Sequence, residues 1–431
     1  MSESEPPSRL RIAVLGCGTV GTEVVRNLVT HQAELSQRAG VELQLSAIVV
    51  RSLAATRDPV IPPGLLTTDA RASIDQADLV IELLAGVEPA QELVRYALAG
   101  GTSVISANKA VLAASGPELY EVAERAGAGV FFEAAVAGAV PVVRGIRESL
   151  AGDHITAVMG IVNGTTNFIL DQMTREGSDF AHVLAQAQAL GYAEADPTAD
   201  VGGADAAAKA AILAALAFHT RVRIGDVPTT GITEISTEDI AAATAMGYVI
   251  KLLAIAERDG DRFSVRVHPA LVSTEHPLAS VHGAYNAVFI QAQAAGTLMF
   301  YGPGAGGAPT ASAVLGDLVA AARLQAAGAR PPTESRYAEL VQRPAGAVQT
   351  RYLIRLDVAD RAGVLAEIAD AVARHEVSLE SLRQVATAAG TASLVLVTHR
   401  AREDALASAV AAVGELAPVT RITSVLRVEG D

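Results

Sequence analysis

Arg11-Ile12-Ala13-Val14-Leu15-Gly16-Cys17-Gly18-Thr19-Val20-Gly21 reads as a short apolar strand, a glycine turn and the opening of a helix. Val20, Val24, Val25, Leu28 and Val29 continue at helical spacing, which sets the order strand, turn, helix. A glycine pattern in that context is a dinucleotide-binding fingerprint. Gly16 permits the tight turn, Gly18 lets the backbone approach a pyrophosphate, and Gly21 lets helix and strand pack closely. Thr19 and Val20 lie at the helix N-terminus, whose free N–H groups and positive partial charge favour an anion.

Further strands are expected over 43–50, 79–84, 103–106 and 129–132, with a helix over 89–99. Strands alternating with helices give an α/β domain, a Rossmann-type doubly wound parallel sheet, over residues 11–140. After Pro141 the texture changes. Residues 156–162 and 262–267 read as strands, and 205–218 and 240–257 as long helices. A second, α+β domain is therefore expected over 141–309. A helix over 310–327 returns to complete the first domain, and 328–350, rich in Pro, Gly and polar residues, reads as a linker. Strands over 352–358, 378–386, 391–398 and 421–428, with helices over 364–375 and 402–416, give βαββαβ, the ferredoxin-like order, in a third domain over 351–431. Residues 1–10, rich in Ser, Glu and Pro, read as a disordered tail.

The net charge of −14 argues against a nucleic-acid partner, because phosphate backbones select basic surfaces. No apolar run approaches the roughly 20 residues of a membrane span, and the N-terminus lacks the order of a signal peptide. A cytoplasmic protein with no membrane contact is expected. Cys17 is the one cysteine, which leaves neither an internal disulfide nor a cysteine zinc cluster. Of the 33 Lys and Arg residues only Lys109, Lys209 and Lys251 are lysine. Arginine stays protonated at any working pH, whereas a lysine can be tuned to exchange a proton, so the three lysines are candidates for chemistry.

The end of the second strand bears on the cofactor. An acidic residue there would bind the ribose 2′-OH of NAD, but the chain has Val49-Val50-Arg51-Ser52, with Arg57 nearby. A guanidinium and a hydroxyl suit a 2′-phosphate, which favours NADP and keeps NAD open. Aldehyde oxidation through a thiohemiacetal lacks a suitable cysteine, and a catalytic zinc lacks its Cys/His set. The Tyr-x-x-x-Lys pair of short-chain dehydrogenases is absent, Tyr248 and Lys251 being only three apart. Hydride transfer at a carbonyl or alcohol remains, with lysine or carboxylate as acid or base. Residues 191–209 hold Glu194, Asp196, Asp200, Asp205 and Lys209 on a Gly/Pro loop and the helix it feeds. Asp205 and Lys209 stand at i and i+4, one turn apart on one face. Lys109, after Asn108, follows the fourth parallel strand at the carboxyl edge of the sheet, where cofactor and substrate meet.

Leu-Gly-Cys-Gly-Thr-Val-Gly, Ser-Ala-Asn-Lys, Phe-Glu-Ala-Ala-Val-Ala-Gly-Ala-Val-Pro (132–141), Gly-Ile-Val-Asn-Gly-Thr-Thr-Asn (160–167), Gly-Tyr-Ala-Glu-Ala-Asp-Pro and Tyr-Gly-Pro-Gly-Ala-Gly-Gly occur in the order seen in homoserine dehydrogenases, which the chain resembles over residues 11–327. The resemblance implies reversible NAD(P)H-dependent reduction of L-aspartate 4-semialdehyde to L-homoserine, on the route to threonine, methionine and isoleucine. It implies Lys209 as the acid/base, Asp205 orienting it, and Lys109 at the cofactor–substrate junction. Glu194 would bind the substrate's α-ammonium, Asp200 would line the pocket, and Gly302 would lie against the cofactor. It further implies a monovalent cation, usually sodium, held by the Glu133 carboxylate and the backbone carbonyls of Val136, Gly138 and Val140. Residues 357–365 resemble the first strand, loop and helix of an ACT domain, a module that pairs edge to edge and binds amino acids. Threonine is the implied effector, and a homodimer or a dimer of dimers the expected assembly. Reduction of another amino-acid semialdehyde, or nucleotide and amino-acid sensing without catalysis, are the readings left beside this one.

Overall fold

In a computed structural model, residues 9–386 and 391–430 are described. The chain forms two compact units. One comprises the described part of Met1–Val162 with Ala207–Val227 and Ala284–Glu339; the other comprises Asn163–Ala206, Pro228–Gly283 and the described part of Leu340–Asp431.

The first unit holds strands β1 (Arg9–Leu15), β2 (Glu42–Val49), β3 (Leu66–Thr67), β4 (Leu79–Glu82), β5 (Ser103–Ser106) and β6 (Val130–Phe131). They are parallel throughout and ordered β3-β2-β1-β4-β5-β6. The direction of winding reverses between β1 and β4, so a crevice opens beyond their carboxyl ends. Parallel strands are covered on both faces and are therefore apolar throughout; Val14, Ile81 and Ile105 are fully buried. Val24 and Val25 of helix Thr19–Thr30 and Val314, Leu318 and Ala322 of helix Gly307–Ala326 belong to the same core. The late helix thus packs into the core of the first sheet. Arg9 and Leu10, expected in the tail, instead begin β1, because Leu10 (1% exposed) fills a core position. The rest of that tail, residues 1–8, lies outside the described residues. Strands Ile155–Ile161, Tyr285–Ala292 and Gly296–Pro303 form an antiparallel set in this unit.

The second unit contains helices Gly164–Glu176 and Phe180–Ala189 and the hairpin of strands Tyr248–Asp259 and Arg262–Ser273. The helix expected over 240–257 is a correction. Helix Thr237–Ala245 stops before Gly247, whose φ of 82° is left-handed, and Tyr248 onward is strand. Residues 250–256 are buried on both faces, and an apolar run without period does not tell helix from strand. The linker expected over 328–350 also contains structure: Val341–Gln342 pairs with Arg262 and Phe263, and Gln349 already begins a strand.

The C-terminal module has the expected βαββαβ order: strand Gln349–Ala359, helix Val364–Ala373, strands Leu379–Ala386 and Thr391–Thr398, helix Glu403–Gly414 and strand Val419–Glu429. Its strands are antiparallel neighbours over a core that includes Ile354, Ile368, Leu394 and Leu406. The final strand also pairs in parallel with Arg262–Ser273, Arg427 opposite Ala270 and Glu429 opposite Val272. At that seam Arg266 bonds Glu257 (2.6 Å) and Glu429 (3.1 Å), all three being buried or half-buried.

Candidate active site

Each glycine of the first turn has a distinct geometric reason. Gly16 has φ 103°, and a Cβ there would lie 2.7 Å from the Leu83 carbonyl oxygen; one on Gly21 would lie 2.3 Å from that of Gly16. Gly18 by contrast faces open space. It stands at the N-terminus of helix Thr19–Thr30, where no side chain caps the free N–H groups, and so leaves them to an anion. A cavity of about 680 Å³ opens here, lined by Gly16, Gly18, Val50, Arg51, Ser52 and Leu84. Arg51 and Ser52 are exposed at its rim, and Arg57 donates to the carbonyls of Ser52 (2.5 Å) and Ala55 (2.8 Å). Room and unspent donors for a dinucleotide are both present.

The carboxyl ends of β4 and β5 carry a buried network that local sequence patterns did not reveal. Glu82, fully buried, accepts from the Ser106 hydroxyl (2.6 Å) and the Leu84 N–H (2.7 Å). Burial pushes its carboxyl above the usual range, against the pull of these donors. Asn108 donates to the carbonyls of Leu84 (3.2 Å) and Gly86 (2.7 Å) and caps the helix Lys109–Ala126 by accepting from Val111 N–H. Lys109, half-buried, is the first residue of that helix, at the edge of the crevice.

Asp205 (6% exposed) and Lys209 (8%) lie one turn apart on helix Ala204–Phe218. The Lys209 ammonium donates to the Val162 carbonyl at 2.6 Å. The next residue, Asn163, donates through one amide nitrogen to Asp200 Oδ1 (2.7 Å) and Asp205 Oδ2 (2.9 Å). Its own oxygen caps the helix Gly164–Glu176 by accepting from Thr166 N–H. Asn163 therefore brings together two carboxylates that the sequence had only placed on the same loop and helix. It lies inside the 160–167 stretch, so its place was visible but its role was not. Glu194 differs: it is exposed, and its backbone carbonyl accepts from Gln188.

The Glu133 loop is tightly wound, with Ala137 and Gly138 both left-handed (φ 58° and 61°). A Cβ on Gly138 would meet the Gly304 carbonyl oxygen at 2.4 Å, so two glycine segments cross here. Gly302 lies two residues earlier, on strand Gly296–Pro303. Asn286, fully buried, lies against Gly304, and its amide has no hydrogen-bond partner among the described residues. The Glu133 carboxylate accepts from the N–H groups of Val143 (2.8 Å) and Arg144 (2.9 Å) and from the Arg144 guanidinium (3.2 Å). Its own N–H donates to Asp317 at 2.7 Å, and burial, with the charge of Glu133 nearby, raises the Asp317 carboxyl to about 7. Backbone and amide oxygens of this kind suit a hard cation. The fit is partial: Glu133 is already shared with Arg144, and the Val140 carbonyl already accepts from Val142 N–H at 2.8 Å.

A dinucleotide crevice at the switch point, and beside the Val162–Asn163 link a helix carrying lysine and carboxylate, place the chain among nicotinamide-dependent oxidoreductases. Family profiles described as "Homoserine dehydrogenase, NAD binding domain", "Homoserine dehydrogenase" and "ACT domain" match residues 16–133, 141–319 and 352–418. The homoserine dehydrogenase of Corynebacterium glutamicum is 52% identical over 99% of this chain and 97% of its own length. That of Bacillus subtilis is 39% identical over 98% and 99%. The crystal structure of a homoserine dehydrogenase from Thiobacillus denitrificans superposes with a TM-score of 0.93 at 38% identity, covering 99% of each chain. A hyperthermophilic archaeal homoserine dehydrogenase in complex with NADPH matches 73% of this chain and 97% of its own, with a TM-score of 0.61 at 28% identity. The chain belongs to the homoserine dehydrogenase family, with a C-terminal ACT domain.

Proposed function

We propose that Lys209 is the proton donor in the family's reduction of L-aspartate 4-semialdehyde, and that Asp205 and Asn163 position it. The observation that carries this is the buried Lys209 ammonium, bonded to the Val162 carbonyl one turn from Asp205. The bound nicotinamide supplies or accepts the hydride. As negative charge grows on the substrate carbonyl oxygen, the Lys209 ammonium gives up a proton to it; in the reverse direction the amine takes the homoserine hydroxyl proton. The Val162 carbonyl anchors Nζ at 2.6 Å, and an ammonium has three hydrogens to share between such anchors and the substrate oxygen. Asn163 fixes Asp200 and Asp205 as acceptors, so a substrate ammonium has fixed carboxylates to meet. Glu194 serves the same ammonium from its exposed loop, and Lys109 assists at the crevice edge.

Arg51 and Ser52 support NADP as the preferred cofactor, with NAD as second choice, and Gly302 lies against it. A sodium or potassium ion would rest on the carbonyls of Val136, Gly138 and Val140, taking a share of Glu133. The ACT loop borders a cavity of about 460 Å³ lined by Asp360, Arg361, Gly363 and Gln384, which suits an amino-acid effector; threonine, the end product, is the first to try. A homodimer or a dimer of dimers in the cytoplasm completes the reading. Homoserine oxidation by the wild type and Lys209→Ala, with NADP and NAD in parallel and with sodium, potassium and threonine added or omitted, tests each part. Near-normal turnover by Lys209→Ala would remove the proposed proton donor.

A further inference from the structure

A second cavity of about 280 Å³ lies in the first unit, between helix Lys109–Ala126 and the C-terminal half of helix Ala204–Phe218. Its apolar walls include Leu112, Gly116, Phe132, Ile212, Ala215 and Leu216. Into this wall projects Arg147, from a π-helical turn, Gly145–Ser149, a wide-turn geometry frequent at functional sites. The Arg147 guanidinium stands over the Phe132 ring, 5.0 Å from its centroid, and donates to the Tyr120 hydroxyl at 2.8 Å. It pairs with no carboxylate among the described residues, and the Tyr120 proton has no acceptor among them. The nearest acidic group on the remaining wall, Glu334, is already neutralised: Arg221 grips both its oxygens (3.0 and 2.7 Å), and Arg336 lies at 3.6 Å. That wall, residues 333–337, is further tied by Ser335 to His219 (2.8 Å) and by the Tyr337 ring stacked on His219.

We propose that this cavity binds a small amphipathic carboxylic acid, its carboxylate on Arg147 and Tyr120 and its aliphatic or aryl body between the two helices. A guanidinium, and a phenol whose oxygen already accepts from it and whose proton remains to be donated, call for an acceptor, and a guanidinium fork matches a carboxylate. A cavity of 150 Å³ holds benzene, so this volume takes roughly eleven heavy atoms. The two helices carry Lys109 and Lys209 nearer their N-terminal ends, so an occupant between them reaches the catalytic groups through rigid elements.

Calorimetric titration of the full chain with 3-phenylpropionate tests this, with 3-phenylpropionamide as the neutral isostere. One acid should bind per chain, at least about tenfold more tightly than the amide, and saturating homoserine should not displace it. Arg147→Met should erase the preference for the acid, and Ala215→Trp should abolish binding of both, while NADPH fluorescence shows that each variant is folded. If a variant does not fold, the comparison of acid with amide on the wild type still decides. Equal binding of the two, no binding at millimolar acid, displacement by homoserine, or acid binding that survives Ala215→Trp would each overturn the proposal.

Discussion

Two buried lysines, Lys209 and Lys251, look alike by exposure and by their shortest bond. They are 8% and 3% exposed, and each donates to a backbone carbonyl at 2.6 Å, Val162 in one case and Val281 in the other. Their surroundings differ. Lys209 extends from a helix that carries Asp205 one turn earlier. Lys251 extends from a strand, is closed in by the Asn167 amide oxygen at 3.1 Å, and is pushed down to about 8 by burial, with Asp171 opposing that shift. Lys251 thus bonds to two segments distant in sequence, at Val281 and Asn167. Perturbation and rarity mark candidates for chemistry, but only the groups around the ammonium tell which lysine has a substrate to meet.

The widest separation of the two should come from removing the ammonium at each site. Lys209→Ala should lower kcat for homoserine oxidation by about 10²–10⁴-fold while NADPH binding and melting temperature stay close to wild type. Lys251→Met should do the opposite. It removes the donor to the Val281 carbonyl and to Asn167, at a cost of about 1–3 kcal/mol for each group, while kcat per folded molecule is retained. A large fall in kcat for Lys251→Met, at a concentration of folded enzyme checked by cofactor binding, would collapse the distinction.

Asn163 sharpens the comparison from the catalytic side. Asn163→Ala should lower kcat roughly tenfold to a hundredfold, the kinetic equivalent of about 1–3 kcal/mol, with NADPH affinity unchanged. Asn163→Asp, which sets a third carboxylate beside Asp200 and Asp205, should lower it further; equal loss in both variants would point to packing alone. The smallest effect is a pH dependence. Between about 8 and the ordinary lysine value of 10.5, the unfolded chain holds a proton that folded Lys251 has released, so stability rises with pH in that window. Denaturant titrations of wild type and Lys251→Met should show a stability difference that is flat below about pH 8 and shifts in favour of the wild type above it.

The parts of the molecule that were legible in the sequence were those written in local patterns. The Gly16–Gly21 turn followed a strand and opened a helix, and a Cβ on Gly16 or Gly21 would clash with the backbone. The βαββαβ order survived because each element carries its own periodicity and turn. Residues 248–257 read as helix because burial on both faces erases the period, and only pairing with Arg262–Ser273 decides for strand. Asn163, Glu82, Asn286 and Asp317 were missed for a related reason. A buried polar side chain is defined by what approaches it from distant segments, and nothing beside it in the chain records that approach. The scarcity of lysine singled out three candidates for chemistry and did not distinguish Lys209, on a helix beside Asp205, from Lys251, bonded to Val281 and Asn167.

The parallel pairing of the final strand with Arg262–Ser273 also bears on how the chain is made. Glu429, two residues from the end, is hydrogen-bonded to Arg266 in the middle of the second unit. During synthesis, the edge of Arg262–Ser273 that strand Val419–Glu429 covers stays open until that strand has been made, and an open strand edge is a site for wrong pairing between molecules. A chain cut before residue 351 would carry that bare edge permanently. Such a fragment should be recovered in poor yield and should precipitate on concentration, even though the dinucleotide crevice lies wholly outside the missing part.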